Sequence, residues 1–252
     1  MSNVAHLQTG SAGFPPTPAA CDSEAARARR RPVYGAPGAT PQYRLLAAGT
    51  ELFAQDEPNE DIFTVVEGWV SLHHILEDGR RQILEFLLPG DICGFAPLAG
   101  GAAPHGAEAL TDVTVTALPR TQFASLLAAD SDYAVAIVGR LSETISSAHE
   151  AMVDIGRRSA IKAVAHLLFR LDRRIREISG APAGAIVEFP PTQEQLSDAL
   201  GLSAAHVCRT LRILREHGIL SLRRHRLQVH DPAALSRILV RDDRWRDNGR
   251  AE

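Results

Sequence analysis

Six arginines lie between positions 209 and 226 (Arg209, Arg212, Arg215, Arg223, Arg224 and Arg226), with Glu216 as the only carboxylate among them. A guanidinium presents a planar fork of donors that matches phosphate oxygens or the paired acceptors of a guanine edge. The whole 252-residue chain has a formal net charge of only -3, so this run marks one nucleic-acid-binding face, not a basic coat. A second group, His73, His74, Glu77 and His105, has the residue types of a metal centre. Adjacent strand residues point to opposite faces, so His73 and His74 cannot both line one interior, and no metal site is expected. Cys21, Cys93 and Cys208 are odd in number and scattered, which argues against a disulfide framework and for a reducing cytoplasm. Neither a Gly-x-Ser-x-Gly nucleophile turn nor a Gly-x4-Gly-Lys-Ser/Thr phosphate loop occurs.

The elements that must position the arginines are legible around them. Thr192-Gln193-Glu194-Gln195 reads as a capping box, and Leu196, Ala199 and Leu200 form the inward face of a short helix. Gly201 supplies a tight turn, Ser203 caps the next helix, Val207, Leu211 and Leu214 bury one side of it, and Gly218 ends it. Two short helices on a glycine-centred turn make a helix-turn-helix whose second helix enters the major groove. Ala204, Ala205, Cys208, Arg209 and Arg212 share the face opposite the buried one. Arg209 is the expected base reader, and Thr192, Ser203 and His206 are expected to position phosphates. Residues 219–222 and 227–230 read as two strands around an Arg223-Arg224-His225-Arg226 tip, a wing that aims Arg224 at phosphates.

Upstream, residues 1–40 are rich in Ala, Pro, Gly and Ser and carry a short arginine run, the composition of a disordered tail. Residues 41–130 alternate short apolar stretches with turn signals such as Glu67-Gly68, Asp78-Gly79 and Pro89-Gly90, the pattern of a β-roll or barrel. Across 131–157, Val138, Leu141, Ile145, Ala148, Met152 and Ile155 step alternately by three and four residues. A stripe that narrow on a long helix is best covered by a twin, which predicts a homodimer. Residues 158–240 hold the winged helix-turn-helix, led by an apolar helix from 160, and 241–252 form a tail. No apolar run approaches the ~18 residues of a membrane span, and the first twenty residues lack the pattern of a secretory signal. The expected fold class is α+β: a jelly-roll-like β-roll sensor domain, a long dimerisation helix, and a C-terminal winged helix-turn-helix.

In order and spacing this layout resembles the Crp–Fnr family of transcription regulators over about residues 43–238. The resemblance is carried by Phe53, Glu67-Gly68, Gly79-Arg80, Pro89-Gly90-Asp91, Gly94, the seam helix, and Leu202-Ser203 followed by His206-Val207-Cys208-Arg209-Thr210-Leu211. It implies a cytoplasmic homodimer on an inverted repeat of double-stranded DNA, with half-sites about one helical turn apart, and RNA polymerase as a partner. Arg209 matches the family's base-reading arginine. Ala205 stands where many relatives carry a glutamate, so it offers at most a thymine-methyl contact. The family's nucleotide-gripping pairs fall on Gly94-Phe95 and Ala103-Pro104, which supply no cation for a phosphate, so the usual cyclic nucleotide is not expected. Cys21 and Cys93 cannot supply a four-cysteine cluster, so no iron–sulfur cofactor is expected either. The alternative from another class is a cupin-like metal-dependent enzyme domain fused to a DNA-binding domain.

Overall fold

The computed structural model describes residues 42–95 and 101–240. The two tails, with Cys21 and the N-terminal arginine run, lie outside the described residues. Eight strands come first: β1 (Gln42–Leu46), β2 (Glu51–Phe53), β3 (Asp61–Glu67), β4 (Val70–Ile75), β5 (Arg81–Leu87), β6 (Ile92–Cys93), β7 (Gly106–Ala109) and β8 (Val113–Pro119). They form two antiparallel sheets, ordered β1-β8-β3-β6 and β2-β7-β4-β5. Alternation along the strands turns one apolar face of each sheet inward. Phe63, Val65, Cys93, Val113, Val115 and Ala117 of the first sheet meet Phe53, Val70, Leu87, Ala107 and Ala109 of the second, and this shared interior makes the pair a β-roll. The turn from β3 to β4 rests on Gly68, at φ +86°, where a Cβ would stand 2.4 Å from the Asp112 carbonyl oxygen.

The second sheet is buried on its outer face as well. Its register places Ser71, His73, Ile83, Phe86, Arg81 and Glu108 on that face. Ile83 and Phe86, with Trp69 and Leu88, join one continuous core with the C-terminal half of the chain. Burial, aided by Arg81 on β5, holds the His73 imidazole below its ordinary value against the opposing pull of Glu108 on β7 and Glu51 on β2. Burial also lowers His105, which neighbours His73 and His74. The unfolded chain takes up these protons near pH ~6.5 and the folded chain resists them, so the stabilisation is complete above that pH and is lost as pH falls. Replacing His73 with Gln is expected to narrow the stability difference from the native chain as denaturant melts move from about pH 7.5 to about pH 5.5. A pH-independent difference would show that His73 is not the group responsible.

Three helices follow: α1 (Arg120–Ala129), α2 (Ser131–Gly156) and α3 (Ala160–Ser179). Phe123 and Leu126 of α1 pack on Ile62 and Leu118 of the first sheet and on Tyr133 and Ile137 of α2. The Asp130 carboxylate caps α2 by accepting from the Tyr133 amide at 2.9 Å. The α2–α3 elbow is fixed by polar contacts. Asp154, only 2% exposed, accepts from Arg158 and lies 2.8 Å from His166 Nδ1. Arg170 donates to the Ser147 carbonyl at 2.9 Å, Ser147 Oγ donates to Glu85 on β5 at 2.8 Å, and Arg174 reaches Asp91. A buried carboxylate left without its cation is costly, so these pairs hold the elbow to one geometry.

The C-terminal part runs β9 (Val187–Glu188), α4 (Gln193–Leu200), α5 (Ala204–Glu216), β10 (Leu220–Arg223), β11 (Arg226–Val229) and α6 (Pro232–Val240). The three strands form a small antiparallel sheet in the order β10-β11-β9. Leu196, Leu200, Val207, Leu211 and Leu214 pack on Leu168 and Leu171 of α3 in the same core that reaches β5.

Candidate nucleic-acid interface

Both halves of the capping box at the start of α4 form. Thr192 Oγ1 accepts from the Gln195 amide at 3.1 Å, and Gln195 Oε1 accepts from the Thr192 amide at 2.8 Å. The helix ends at Gly201, which takes the left-handed conformation at φ +62°. A Cβ built there would lie 3.7 Å from Ile155 Cγ2, so the turn between the two short helices rests on the last turn of α2. Ser203 Oγ then accepts from the His206 amide at 3.3 Å and starts α5.

Val207, Thr210, Leu211 and Leu214 bury one side of α5. Ala204, Ala205, His206, Cys208, Arg209 and Arg212 are all exposed on the rest of the helix. Arg212 faces Glu216 at 3.8 Å across solvent, both about 60% exposed, an arrangement that holds it weakly. Arg209 has no ion-pair partner among the described residues, so its donor fork is free. Thr192 and Ser203 accept from backbone amides through their hydroxyl oxygens, which leaves each O–H free to donate to a phosphate.

The wing is tighter than the four-residue tip expected from sequence. Strand pairing extends to Arg223 opposite Arg226, and only Arg224 and His225 form the turn. Both have positive φ, 49° and 59°, a strained choice for residues with side chains. The turn is tied down next to α4: the Phe189 amide donates to the His225 carbonyl at 2.8 Å, and the His225 ring lies 2.9 Å from the Pro190 carbonyl. Like charges facing each other across a strand pair repel, and an anion laid over Arg223 and Arg226 relieves that repulsion. Arg224→Ala is expected to weaken binding to all DNA sequences alike and to reduce the slope of log affinity against log salt by about one. An unchanged slope in a salt titration would place Arg224 off the backbone.

The positions aligned with the family's nucleotide grip are occupied by packing. Asn59 donates to the Gly94 carbonyl at 3.0 Å, and the Phe95 ring meets Phe123 of α1 edge-on at 5.8 Å. Ala103 is buried and exchanges backbone hydrogen bonds with Asp56 and Glu57, while the exposed Pro104 carbonyl lies 3.2 Å from His74 Nδ1. Among the described residues, the hydrophobic side chains of the roll's interior form one cluster. An anionic phosphate needs a cation, which Gly94, Phe95, Ala103 and Pro104 do not offer, so these four positions do not fit a cyclic nucleotide bound in the family's manner. Burial also pushes the Cys93 thiol up, which keeps it protonated and a poor cluster ligand.

A two-helix reading head with a basic wing, joined through a long helix to a β-roll, defines a DNA-binding regulator. Residues 43–130 match the cyclic nucleotide-binding domain model, and residues 162–238 match the Crp-like helix-turn-helix domain model. The chain is 30% identical to the nitrogen fixation regulation protein FixK of Bradyrhizobium diazoefficiens over 76% of its own length and 79% of that protein. It is 30% identical to the transcriptional activatory protein AadR of Rhodopseudomonas palustris over 72% and 74% of the two chains. The solved structure of FixK2 from Bradyrhizobium japonicum superposes with a TM-score of 0.71 at 29% identity, covering 79% of this chain and 98% of that one. This chain therefore belongs to the Crp–Fnr family of transcription regulators. The enzyme alternative is left without support. Among the described residues no three His, Cys, Asp or Glu side chains gather as a metal set, and no helix is long and apolar enough to cross a membrane.

Proposed function

We propose that two copies of the chain pair along α2 in the cytoplasm and read an inverted repeat, one recognition helix in each of two successive major grooves. The observation that carries this reading is the row of apolar side chains left in water along α2. Val138 is 62% exposed, Ile145 55%, Met152 69% and Ile155 49%, with Leu141 and Ala148 on the same row. A second copy of the same stripe buries them with knobs-into-holes spacing. Arg209 then grips a guanine in each half-site, Ala205 and Cys208 lie over neighbouring bases, and Thr192, Ser203, His206 and Arg224 hold the backbone.

A signal received in the β-roll shifts the population between arrangements of the two reading heads, and a head placed out of register binds only one half-site. The protein acts by occupying its DNA site, with RNA polymerase as a partner there, and carries out no chemistry itself. Sedimentation equilibrium of the chain, alone and with a duplex carrying the repeat, tests the assembly. A dimer that binds one duplex supports the reading, and a monomer binding at one-to-one contradicts it.

A further inference from the structure

Besides the elbow and the shared apolar core, the reading head is tied to the β-roll by an ionic contact at the edge of its second sheet. Arg81 opens β5, the edge strand of its sheet. Its Nη1 donates to Glu108 Oε2 on β7 at 3.1 Å, and its Nε donates to Asp198 Oδ2 on α4 at 3.3 Å. The next residue repeats the connection, Gln82 Nε2 donating to the Ala199 carbonyl at 3.3 Å. Beneath them Ile83, 2% exposed, lies in the core shared with Leu196 and Leu200 of α4. Arg81, Glu108 and Asp198 retain only 28%, 25% and 23% side-chain exposure, so water screens the three charges incompletely.

We propose that Arg81 is a positioning residue for operator binding: its guanidinium, shared between Glu108 and Asp198, straps the first helix of the reading head to the sensor roll. The proposal rests on α5 being the DNA-reading helix. α4 is held on one side by β5, and the Gly201 turn that follows it rests on Ile155 of the seam helix. Both attachments leave the exposed face of α5 clear, so the strapped arrangement presents the arginines rather than hiding them. Without Arg81, Glu108 and Asp198 are two half-buried carboxylates with no cation between them, and α4 is pushed from the sheet. α4 then loosens against β5, although the apolar core beneath still holds the head to the roll, and the two heads of a dimer lose their fixed spacing.

The test is a double-mutant cycle with Arg81→Met, Asp198→Asn and both together, on the full chain. Each protein is titrated against an inverted-repeat duplex selected from random DNA, a single half-site and a random duplex, with amide exchange followed in α4 and the elbow. Arg81→Met is expected to lower inverted-repeat affinity roughly tenfold, two straps being lost per dimer, and to change half-site and random-duplex affinity by less than about twofold. Exchange in residues 193–200 should rise, and the double variant should bind no worse than Arg81→Met alone, because removing the second carboxylate relieves the repulsion. Unchanged or raised affinity for the repeat, or an equal loss on half-sites, would overturn the proposal. If the native chain selects no sequence, the DNA-reading assignment fails instead, and the exchange data still decide the strap: no added exposure of α4 in Arg81→Met refutes it.

Discussion

Replacing Ile145 with Glu is expected to convert the dimer to monomers and to lower affinity for the inverted repeat about 10²–10⁴-fold, while leaving half-site affinity nearly unchanged. Ile145 lies in the middle of the exposed stripe on α2 and is 55% exposed in the single chain. The partner covers the 55% of Ile145 that is exposed in one chain, worth about 1–1.5 kcal/mol per copy, and the two carboxylates introduced would face each other in a desolvated seam, at several kcal/mol more. The fold of one chain does not depend on this residue, so the variant should melt near the native temperature in a diluted sample. Sedimentation and gel-shift titration read both effects. A variant that remains dimeric would move the interface away from α2.

Replacing Arg209 with Ala is expected to cost about 1–3 kcal/mol on the specific site and to relax the preference at one guanine per half-site. The residue is exposed and its fork has no ion-pair partner among the described residues, so the substitution removes the proposed base contact without opening a cavity or breaking a network. Selectivity distinguishes base reading from general charge. Binding curves on specific and random duplexes should separate less for Arg209→Ala than for the native chain, whereas an equal fall on both would make Arg209 a phosphate contact.

The parts of this architecture that local chemistry dictates could be read from the sequence. Thr192 and Gln195 are three residues apart and satisfy each other's backbone amides, so their helix start is fixed without reference to the rest of the chain. Gly201 and Ser203 likewise mark the turn and the next cap from their own conformational preferences. The stripe on α2 is visible because its period is that of a helix and its polar neighbours are not. β7 was not visible: Gly106-Ala107-Glu108-Ala109 has no strand-forming residue, and it pairs with β4 and β2 only because the roll closes there. The wing tip tightened to Arg224-His225 because a long-range tie from Phe189 and Pro190 outweighs the local preference for glycine at positive φ. Phe95 stands where the family resemblance puts half of a nucleotide-gripping pair, and it packs against Phe123 of α1 instead, a contact that no local signal marks. The strap from Arg81 to Asp198 spans 117 positions and carries no local mark, since an arginine at the start of one strand and an aspartate within a helix are ordinary surface residues.

The central claim is that the chain reads DNA sequence as a twofold-symmetric pair. Selection of bound duplexes from a random pool, with reduced protein at low salt, tests it most directly. The account predicts enrichment of an inverted repeat with half-site centres about one helical turn, roughly 34–36 Å, apart, and a guanine in each half-site whose enrichment disappears with Arg209→Ala. Enrichment of a single unrepeated motif, or salt-sensitive binding with no motif at all, would contradict it.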